Sequence, residues 1–519
     1  MSLVRSTSTV AFFTLLSRIS GFVRDMLMAN LIGASWLSDA FFVAFKIPNF
    51  FRRLFAEGAF NVAFIPSFSS ILAADGRAAA IRFAGEVMSV LFLVLLVLNA
   101  IFIIFMPWIM PIFAPGFADT PAKFNLTVSL SQITFPYILF ISLVSLLGGM
   151  LNSFGKFAAP AASPILLNLC MIGGMVWLTE TPSPAHALSW SVLLAGFVQL
   201  AWLTAICLRH DMLPGLFLPK LTPKVKTMLL LMAPAALGSG VQQLNLLIDT
   251  IIASHIPDAV SYLYYADRIT ELPIGVIGVA VATVLLPTLS RQLREGDKSA
   301  ARTSMNRALE IVMLFGLPAT AGCMLIAEPM IRVLYLHGNF TLHDMSAVTS
   351  ALIAFGAGLP AFLAVKVFAP GFYANQDTST PFKIAMVCVV INLVLNLVLM
   401  GPFRHVGMAM ATSFASWVNL AVMAYILHKR GIFMPDGLLK RRIFRLTLAT
   451  IAMSIVLYYL SHLLVPWMRG DLTIRIAALV ALIGAGGIVF FAAAFVLGAY
   501  DASFLKRVFR RKPYSEKAR

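Results

Sequence analysis

The residues of this sequence that could do chemistry lie in apolar surroundings. The stretch Ser38–Phe60, SDAFFVAFKIPNFFRRLFAEGAF, has the apolar character of a membrane-spanning segment, yet five of its side chains ionise. These five are Asp39, Lys46, Arg52, Arg53 and Glu57. Four more cations occur at or near membrane depth elsewhere, namely Arg18, Arg24, Arg268 and Lys366. Together with Lys46, Arg52 and Arg53 they make seven cations. These charged groups either neutralise one another or form a polar site.

The free-energy cost of a charge in a bilayer restricts where these side chains can point. A cation at the centre of a lipid-facing helix costs about 3 kcal/mol, so all seven cations would cost roughly 20 kcal/mol. That exceeds the stability of a typical protein, so they must face protein or water. Carboxylates available for internal pairing are Asp25, Asp39, Glu57, Asp267 and Glu271. Snorkelling toward the membrane surface is a further structural explanation for Lys366 and Arg53.

Five of the seven cations are arginines, whose planar guanidinium group suits bidentate recognition of phosphate or carboxylate. Glycines and prolines in the same segments predict bends that open polar groups to a water-filled cavity. They are Gly21, Pro48, Gly58, Pro66, Pro273 and Pro287. An ideal helix places Asp39, Lys46, Arg53 and Glu57 on one face, but Pro48 interrupts it, so the inward arginine is either Arg52 or Arg53. We predict an anion site, with structural ion pairing as the alternative.

Composition indicates the class of protein. Of the 519 residues, 60% are hydrophobic and 12% charged, whereas soluble domains have about 45–50% and about 25%. Long uncharged runs are typical of an all-α polytopic membrane protein and exclude a β-barrel. The net charge of +17 is typical of basic cytoplasmic loops, so we expect no nucleic-acid partner. The four cysteines lie in apolar runs and are expected to be small core residues; they are Cys170, Cys207, Cys323 and Cys388.

Fourteen segments have the length needed to cross a bilayer, which takes about 20 residues. The segments are 8–32, 37–66, 87–113, 126–152, 159–179, 187–208, 227–253, 262–290, 311–330, 346–371, 384–402, 406–427, 446–467 and 476–499. With strict alternation, 27 Lys and Arg residues fall on one side and five on the other. This asymmetry predicts that both termini are cytoplasmic.

An internal repeat predicts two lobes. Phe41–Ser69 resembles Tyr264–Ser290, since each has an aromatic pair, a cation, a proline, a glycine-containing apolar run and a final proline motif. The offset of about 222 residues equals six predicted helices, so two six-helix lobes would be related by a pseudo-two-fold axis along the membrane normal. The predicted parts are an N-lobe (1–208), a cytoplasmic linker (209–226), a C-lobe (227–428), a second linker (429–445), two further helices (446–500) and a basic cytoplasmic tail (501–519).

Common catalytic motifs are absent from the sequence, which contains no Walker A run, no HExxH and no GxSxG. The eight histidines are scattered. We therefore expect no enzyme and no cofactor, but a secondary transporter driven by an ion gradient, the membrane potential or the gradient of its substrate.

Several strings of this sequence closely resemble the MurJ (MviN) family of lipid II flippases, which belongs to the multidrug/oligosaccharidyl-lipid/polysaccharide exporter superfamily. The strings are SRISGFVRD at 17–25, SDAFFVAFKIPNFFRRLFAEGAF at 38–60, APGFAD at 114–119, TFPYI at 134–138, YYADRITELPIGVIGVA at 264–280 and KVFAPGFY at 366–373. The resemblance implies fourteen helices in two lobes and a bacterial inner-membrane protein. It also implies transport of undecaprenyl-diphosphate-linked disaccharide-pentapeptide from the inner to the outer leaflet by alternating access.

The resemblance also implies residue roles. Substrate-binding positions would be Arg18, Arg24, Asp39, Lys46, Asn49, Arg52, Glu57 and Arg268, with the arginines on the diphosphate and the carboxylates orienting them. The last two helices would form a groove for the lipid tail. Some members bind sodium, and the matching positions are Asp249, Asn392, Asn396, Met408 and Thr412. Asn396 replaces an expected carboxylate there, so a structural polar cluster is the alternative.

Other functions stay open from sequence. A flippase for a different polyprenyl-diphosphate glycan would use the same arginines. A drug or cation exporter of the same superfamily would need an acidic or aromatic cavity, which the excess of arginine disfavours. A structural scaffold with a static charge cluster is the fourth possibility. We expect a protein that is functional as a monomer, with lipid II and membrane lipids as its partners.

Overall fold

The computed structural model describes residues 3–53, 58, 60–177 and 180–500, and only the backbone for 3–8, 233–239 and 242. Within these ranges all regular structure is helical. The helices are α1 (Leu3–Ile32), α2 (Trp36–Phe51), α3 (Phe60–Ala74), α4 (Gly76–Phe113), α5 (Pro121–Thr134), α6 (Tyr137–Ser153), α7 (Ala158–Trp177), α8 (Pro184–Arg209), α9 (Pro223–Ser254), α10 (Ala259–Pro273), α11 (Val279–Arg294), α12 (Lys298–Leu325), α13 (Ala327–Leu334), α14 (Leu342–Tyr373), α15 (Ser379–Lys429), α16 (Gly437–Leu463) and α17 (Leu472–Val496). Short 3-10 helices cover Pro115–Asp119 and Trp467–Arg469, and a π-helical turn covers Ile274–Gly278.

Ten helical stretches among the described residues are long and apolar enough to cross a membrane, so the chain is a multi-pass helical membrane protein. One of them, α15, has 51 residues and joins two helical segments at Arg404, whose φ of 49° is non-helical. The predicted segments 8–32, 37–66 and 227–253 are not among the ten, and the predicted segments 384–402 and 406–427 both lie within α15. The all-helical prediction is confirmed, and the count of fourteen spans stays a prediction.

The chain folds as two compact units. Unit 1 comprises Met1–Tyr265, Tyr335–Asp344 and Leu393–Met408, and unit 2 comprises Ala266–Leu334, Met345–Asn392 and Ala409–Arg519. The predicted lobe boundary at residue 208 and the pseudo-two-fold axis stay predictions, and the predicted tail at 501–519 lies outside the described residues. The cysteine prediction agrees with the structure, in which Cys207, Cys323 and Cys388 are buried, Cys170 is half-buried and all four are free.

In unit 1, helix α5 supplies the hydrogen bonds that prolines remove from its neighbours. Pro48 lacks an N–H group, so the carbonyl of Ala44, four residues earlier in α2, loses its helical donor. The hydroxyl of Thr134, at the end of α5, donates to that carbonyl over 2.9 Å. Because a buried carbonyl without a partner is costly, this bond allows α2 to keep a proline inside the protein.

A second hydrogen bond of this kind joins α5 to α4. Pro107 frees the carbonyl of Ile103, and the Gln132 side chain donates to it from α5 over 2.9 Å. Helix α5 thus fixes two proline-interrupted helices. Elsewhere in unit 1, α1 packs on α7, α7 and α6 pack on α8, and the backbone N–H of Asn339 donates to the carbonyl of Asn30 near the end of α1.

In unit 2, α12 packs on α16 and α16 packs on α17. The buried carboxylate of Glu310 accepts hydrogen bonds from Arg307 and from Nη1 of Arg442, the latter at 2.6 Å. The Tyr500 hydroxyl donates to the backbone carbonyl of Glu310 at 3.2 Å. A charge-assisted network therefore ties α12 to the start of α16 and to the segment after α17.

Removing the Thr134 hydroxyl tests whether its hydrogen bond to Ala44 offsets the destabilisation caused by the proline in α2. We expect Thr134→Val to lower the stability of the folded protein by about 1–2 kcal/mol, because the Ala44 carbonyl is left buried without a donor. Thermal unfolding of the purified protein in detergent measures the change.

Thr127→Val is the matched control, since the buried Thr127 hydroxyl bonds only within its own helix, to the Lys123 carbonyl at 2.7 Å. An equal loss of stability in both variants would show that the Ala44 carbonyl is not the reason for the Thr134 effect.

Candidate functional site

A buried arginine cluster lies in unit 1, with Arg24 and Asp25 consecutive on α1. Arg24 is 4% exposed, and its Nε and Nη2 donate to Asp25 Oδ1 at 3.0 and 2.7 Å. From α10, the Tyr264 hydroxyl donates to the same carboxylate oxygen at 3.1 Å. Arg24 Nη2 also donates to the Tyr264 hydroxyl over 3.3 Å. Arg24 is therefore ion-paired with Asp25 and hydrogen-bonded to Tyr264 in this structure, which is one of the internal pairings that the structural alternative allows.

Asn168 of α7 completes this arginine cluster. Its Oδ1 accepts from Arg24 Nη1 at 3.0 Å, while its Nδ2 donates to the Ser17 carbonyl and the Ser20 hydroxyl of α1 at 3.0 and 2.9 Å. Because the Asn168 NH2 group is hydrogen-bonded to α1, its amide oxygen is oriented toward the Arg24 guanidinium. Asn168 is 5% exposed, and buried amides hold their neighbours in place only when fully bonded.

A second buried ion pair joins Asp39 of α2 to Lys123 of α5. Their side chains are 0% and 9% exposed, and Lys123 Nζ donates to Asp39 Oδ2 at 2.7 Å. The other carboxylate oxygen accepts from the backbone N–H and the hydroxyl of Ser261 at 2.8 and 2.6 Å. Both oxygens are therefore bonded, and Asp39 holds α2, α5 and the first turn of α10 together. Lys123 lies in the first turn of α5, ahead of the predicted span 126–152.

The remaining predicted residues of the second segment have different environments. Lys46 is half-buried and donates to the Thr250 hydroxyl at 3.2 Å. Asn49 donates to the Phe45 carbonyl at 2.8 Å and accepts from Arg52 Nε at 3.0 Å. Arg52 is half-buried, whereas Arg53 is exposed. Glu57 lies outside the described residues, so its predicted role is neither supported nor contradicted.

Irregular turns follow two of the prolines, as the sequence predicts. Arg52 and Arg53 have π-helical backbone shortly after Pro48, and Ile274–Gly278 forms a π-helical turn directly after Pro273. A π-turn displaces side chains relative to an ideal helix, and such turns are frequent at functional sites. This is why the ideal-helix calculation could not assign the inward-facing arginine.

Three predicted cations outside these clusters are partly accessible. Arg18 is half-buried on α1 in unit 1. In unit 2, Arg268 is 29% exposed and its Nη1 donates to Glu271 Oε2 at 2.8 Å, one helical turn further along α10. Lys366 is half-buried in unit 2 and its side chain packs against Gly278 of the π-helical turn.

The residues expected around sodium divide between the two units. In unit 1, Asp249 Oδ1 accepts from Asn396 Nδ2 at 2.7 Å, Asp249 Oδ2 accepts from Asn245 Nδ2 at 3.2 Å, and Met408 is buried. The Asn396 Oδ1 atom is buried, and no described residue donates to it. An unsatisfied amide oxygen next to a carboxylate is a donor set that fits a hard cation. In unit 2, the Thr412 hydroxyl lies 3.5 Å from Asn392 Oδ1.

A titratable group that the sequence did not single out is Asp258, which lies between α9 and α10. Its φ is 58°, a left-handed conformation that Asp and Asn tolerate better than most residues. Burial, followed by the negative charge of Asp39, raises the pKa of Asp258 to about 6, while Lys123 acts in the opposite direction. In the same unit, the Tyr262 hydroxyl donates to Asp344 Oδ1 at 3.2 Å.

Sequence reasoning missed Asn168, Lys123, Ser261 and Tyr264. Asn168 has a visible signal, since it is the sole strongly polar residue of the apolar run Pro164–Trp177. Tyr264 lies in the repeat but was used there only as an aromatic landmark. Lys123 and Ser261 carry no local signal, because their importance comes from Asp39, which is 84 and 222 residues away.

Most of the chain matches a known protein family. The family described as "Lipid II flippase MurJ" matches residues 28–478. A "Probable lipid II flippase MurJ" of Rhizobium tropici is 42% identical, covering 99% of this chain and 97% of that protein. A "Lipid II flippase MurJ" of Burkholderia cenocepacia is 34% identical, covering 98% of this chain and 100% of that protein.

Solved structures agree with the fold. A structure titled "Lipid II flippase MurJ, inward closed conformation" has a TM-score of 0.77 and 26% identity, and covers 96% of this chain and 99% of that chain. An inward-facing multidrug MATE transporter of the MOP superfamily has a TM-score of 0.69 and 14% identity, covering 82% of this chain and 97% of that chain. The second similarity concerns the fold alone.

Removing the lysine of the buried pair should be costly. We expect Lys123→Met to destabilise the protein by about 3–5 kcal/mol, because Asp39 would be left as an uncompensated buried charge. Adding Asp39→Asn should restore much of that loss, since the second change removes the charge. Thermal unfolding in detergent measures both variants.

An exposed pair of similar length serves as the control. Lys224 Nζ lies 2.8 Å from Asp75 Oδ2, with side chains 56% and 47% exposed, so Lys224→Met should cost less than about 1 kcal/mol. Similar losses for Lys123→Met and Lys224→Met would contradict the burial argument.

The raised pKa of Asp258 predicts a pH dependence of stability. The folded state holds its proton more tightly than the unfolded state, so stability falls as pH rises from about 4 to 6. Asp258→Asn keeps the left-handed backbone and mimics the protonated form. We expect it to raise stability above pH 6 by about 1 kcal/mol, after allowance for solvent screening, with no gain near pH 4.

Thermal midpoints across this pH range measure the effect. A gain of the same size at every pH would mean that the substitution acts through the backbone rather than through the proton.

Proposed function

The chain belongs to the lipid II flippase MurJ family, and from that premise we propose how it moves its substrate. The substrate is lipid II, an undecaprenyl-diphosphate-linked disaccharide-pentapeptide, carried from the inner to the outer leaflet of the bacterial inner membrane by alternating access. The protein acts as a transporter with no covalent step, functions as a monomer and binds no nucleic acid. Both termini lie in the cytoplasm, as the 27:5 distribution of basic residues favours.

The observation that carries the proposal is the paired state of Arg24. Its Nε and Nη2 share a single carboxylate oxygen of Asp25, and its Nη1 bonds to an uncharged amide. A diphosphate has several anionic oxygens and can replace Asp25 bidentately, because guanidinium and phosphate geometries match. The energetic cost of releasing Asp25 is offset by the new charge-assisted bonds, with the Tyr264 hydroxyl available as a donor to the freed carboxylate.

Other cations would add to this recognition. Arg52 is half-buried and is oriented by Asn49 through a 3.0 Å bond, and Arg268 is oriented by Glu271 through a 2.8 Å bond. Arg18, half-buried on the same helix as Arg24, and Lys46 supply further positive charge. In this proposal Asp25 and Glu271 hold Arg24 and Arg268 ready in the absence of substrate, and Asp39 contributes indirectly by fixing α2.

An anion site of this kind disfavours a drug or cation exporter. A cationic substrate would meet the positive guanidinium group of Arg24, which pairs with Asp25. A flippase for another polyprenyl-diphosphate glycan would use the same diphosphate contacts. Competition between lipid II and a polyprenyl-diphosphate carrying a different sugar distinguishes the two, since lipid II transport should resist competitors that lack its head group.

Sodium coupling rests on Asp249 and Asn396 of unit 1. The buried Asn396 Oδ1 atom and the adjacent carboxylate would supply oxygen ligands, and bound sodium would neutralise the Asp249 charge. The protein's own residues would then sense the ion through α9 and the first segment of α15. The membrane potential is the alternative source of energy. Helices α16 and α17 pack together and would provide the groove for the lipid tail.

Replacing the arginines singly tests the proposal. We expect Arg24→Ala, Arg52→Ala and Arg268→Ala each to abolish growth of a strain depleted of its own lipid II flippase, with normal protein levels. Arg24→Lys should also fail, because an ammonium cannot reproduce the bidentate contact. Lipid II should accumulate on the inner membrane face, measured separately on each leaflet.

Arg82→Ala is the matched control, since the Arg82 side chain is 75% exposed and pairs only with Glu86 one turn away. This variant should support growth. Growth with any two of the three site arginines replaced by alanine would overturn the diphosphate proposal.

A further inference from the structure

The segment from His210 to Thr222, which joins α8 to α9, exposes apolar side chains although it lies outside the helices. We call it the α8–α9 linker. Leu216, Leu218 and Leu221 are 72%, 81% and 67% exposed. A contiguous exposed patch of leucines in a connecting segment marks an interaction surface, because water disfavours it and the fold does not cover it.

The linker is fixed rather than loosely attached to unit 1. Just after the end of α8, Asp211 has a φ of 52°, and the Met212 N–H donates to the Cys207 carbonyl at 2.8 Å. Arg77 Nη2, from the first turn of α4, donates to the Asp211 carbonyl at 2.9 Å. Met212 and Pro214 are buried. The backbone is thus held while the leucines face outward.

The linker crosses α4 at a defined level. The Phe217 N–H donates to the Ser89 hydroxyl at 2.9 Å, and a Cβ atom on Gly85 would lie 2.4 Å from the Gly215 carbonyl oxygen. The Thr222 hydroxyl donates to Glu86 Oε2 at 2.9 Å. The linker therefore lies beside Gly85–Ser89, and glycine at 85 is required for this close approach.

The segment Gly85–Ser89 is also where the sequence of α4 changes from charged to uncharged. Glu86 is the last charged residue of α4, and residues 87–113 contain none. An uncharged run of this length covers about 40 Å at 1.5 Å per residue, enough for the hydrocarbon core. The exposed leucines of the linker therefore stand at the height where the polar part of α4 meets its apolar part.

Cations accompany the leucines. Lys220, Lys224 and Lys226 are all exposed, and Arg209 precedes the linker on α8. Leucines flanked by lysines at the edge of an apolar span suit a surface that is apolar below and anionic above. A soluble protein partner would not explain why the patch occurs at the boundary height of α4.

We propose that the α8–α9 linker is a membrane-surface anchor. Leu216, Leu218 and Leu221 insert into the interfacial layer of the bilayer, and Lys220 and Lys226 contact anionic lipid head groups of the cytoplasmic leaflet. The choice of leaflet rests on the orientation given under Proposed function. Anchoring would hold α4, α8 and the start of α9 at a constant depth while other helices move during transport.

The test places a fluorescent probe on single cysteines in the full chain, with the four native cysteines replaced and the protein in nanodiscs. Leu218→Cys is compared with two reference positions on α4: the exposed Ala78→Cys, seven residues before Gly85, and the exposed Val94→Cys within the uncharged run. Lipids carrying nitroxide in the head group or deep in the acyl chain quench the probe according to depth.

We expect the probe at 218 to be quenched several-fold more than at 78, and most strongly by the shallow nitroxide, while 94 responds most to the deep one. Lys220→Gln with Lys226→Gln should weaken the quenching at 218 about two-fold in nanodiscs with anionic lipid and leave it unchanged in zwitterionic ones. Equal quenching at 218 and 78 in lipid alone would overturn the proposal, and would leave a soluble partner as the explanation for the leucines.

Leu216→Ser with Leu218→Ser provides a check that does not depend on the probe. Because these side chains contact little of the protein, thermal stability in detergent should be unchanged, while protection of Lys220 from amine labelling in nanodiscs should fall. Unchanged Lys220 labelling would contradict insertion. Neither readout uses transport, so failure here is distinguishable from failure of the flippase proposal.

Discussion

A charge buried away from water has to be neutralised and hydrogen-bonded, and this constraint organises the described part of unit 1. Asp39 is fully buried, and both of its oxygens are bonded, by Lys123 and by Ser261. Desolvating an unpaired carboxylate would cost several kcal/mol. Burial of the Asp39 charge is therefore tolerated only while α2, α5 and α10 stay together. This ion pair thus constrains the arrangement of three helices.

Three side chains of helix α5 supply hydrogen-bond donors to groups of the neighbouring helices α2 and α4. Lys123 neutralises Asp39, Thr134 bonds the carbonyl freed by Pro48, and Gln132 bonds the carbonyl freed by Pro107. Pro48 and Pro107 each leave one carbonyl of α2 or α4 without its helical donor, and α5 supplies a replacement donor for both. A helix that contains a proline can thus be stable, because its missing hydrogen bond is replaced from outside the helix.

The Arg24 cluster differs from the Asp39 pair in how easily it could exchange partners. Asp39 is bonded on both oxygens by groups from two other helices, whereas Arg24 pairs with the carboxylate of its own sequence neighbour. An adjacent carboxylate moves with the arginine and can be displaced without separating helices. The Asn168 amide, fixed by α1 through Ser17 and Ser20, orients the guanidinium independently of Asp25.

The fold class, the membrane location and the family could all be predicted from sequence, because hydropathy, charge asymmetry and long charged strings are local properties. The charged residues of α1 and α2 could be named as candidates for the same reason, and their role as substrate-binding residues stays a prediction. Their partners could not. The ideal-helix face that grouped Asp39, Lys46 and Arg53 fails to describe them, since Asp39 pairs with Lys123, Lys46 bonds Thr250 and Arg53 is exposed.

The sequence alone determined that charges at membrane depth must be satisfied, since the cost of burying them is set by residue type and by the apolar surroundings. Only the tertiary structure decided which partner satisfies each one, because Asn168 is 144 residues from Arg24 and Ser261 is 222 residues from Asp39. Pairing over such distances depends on how helices pack and where π-turns rotate them. That packing comes from the sum of many weak contacts, none of which is visible in a short stretch of sequence.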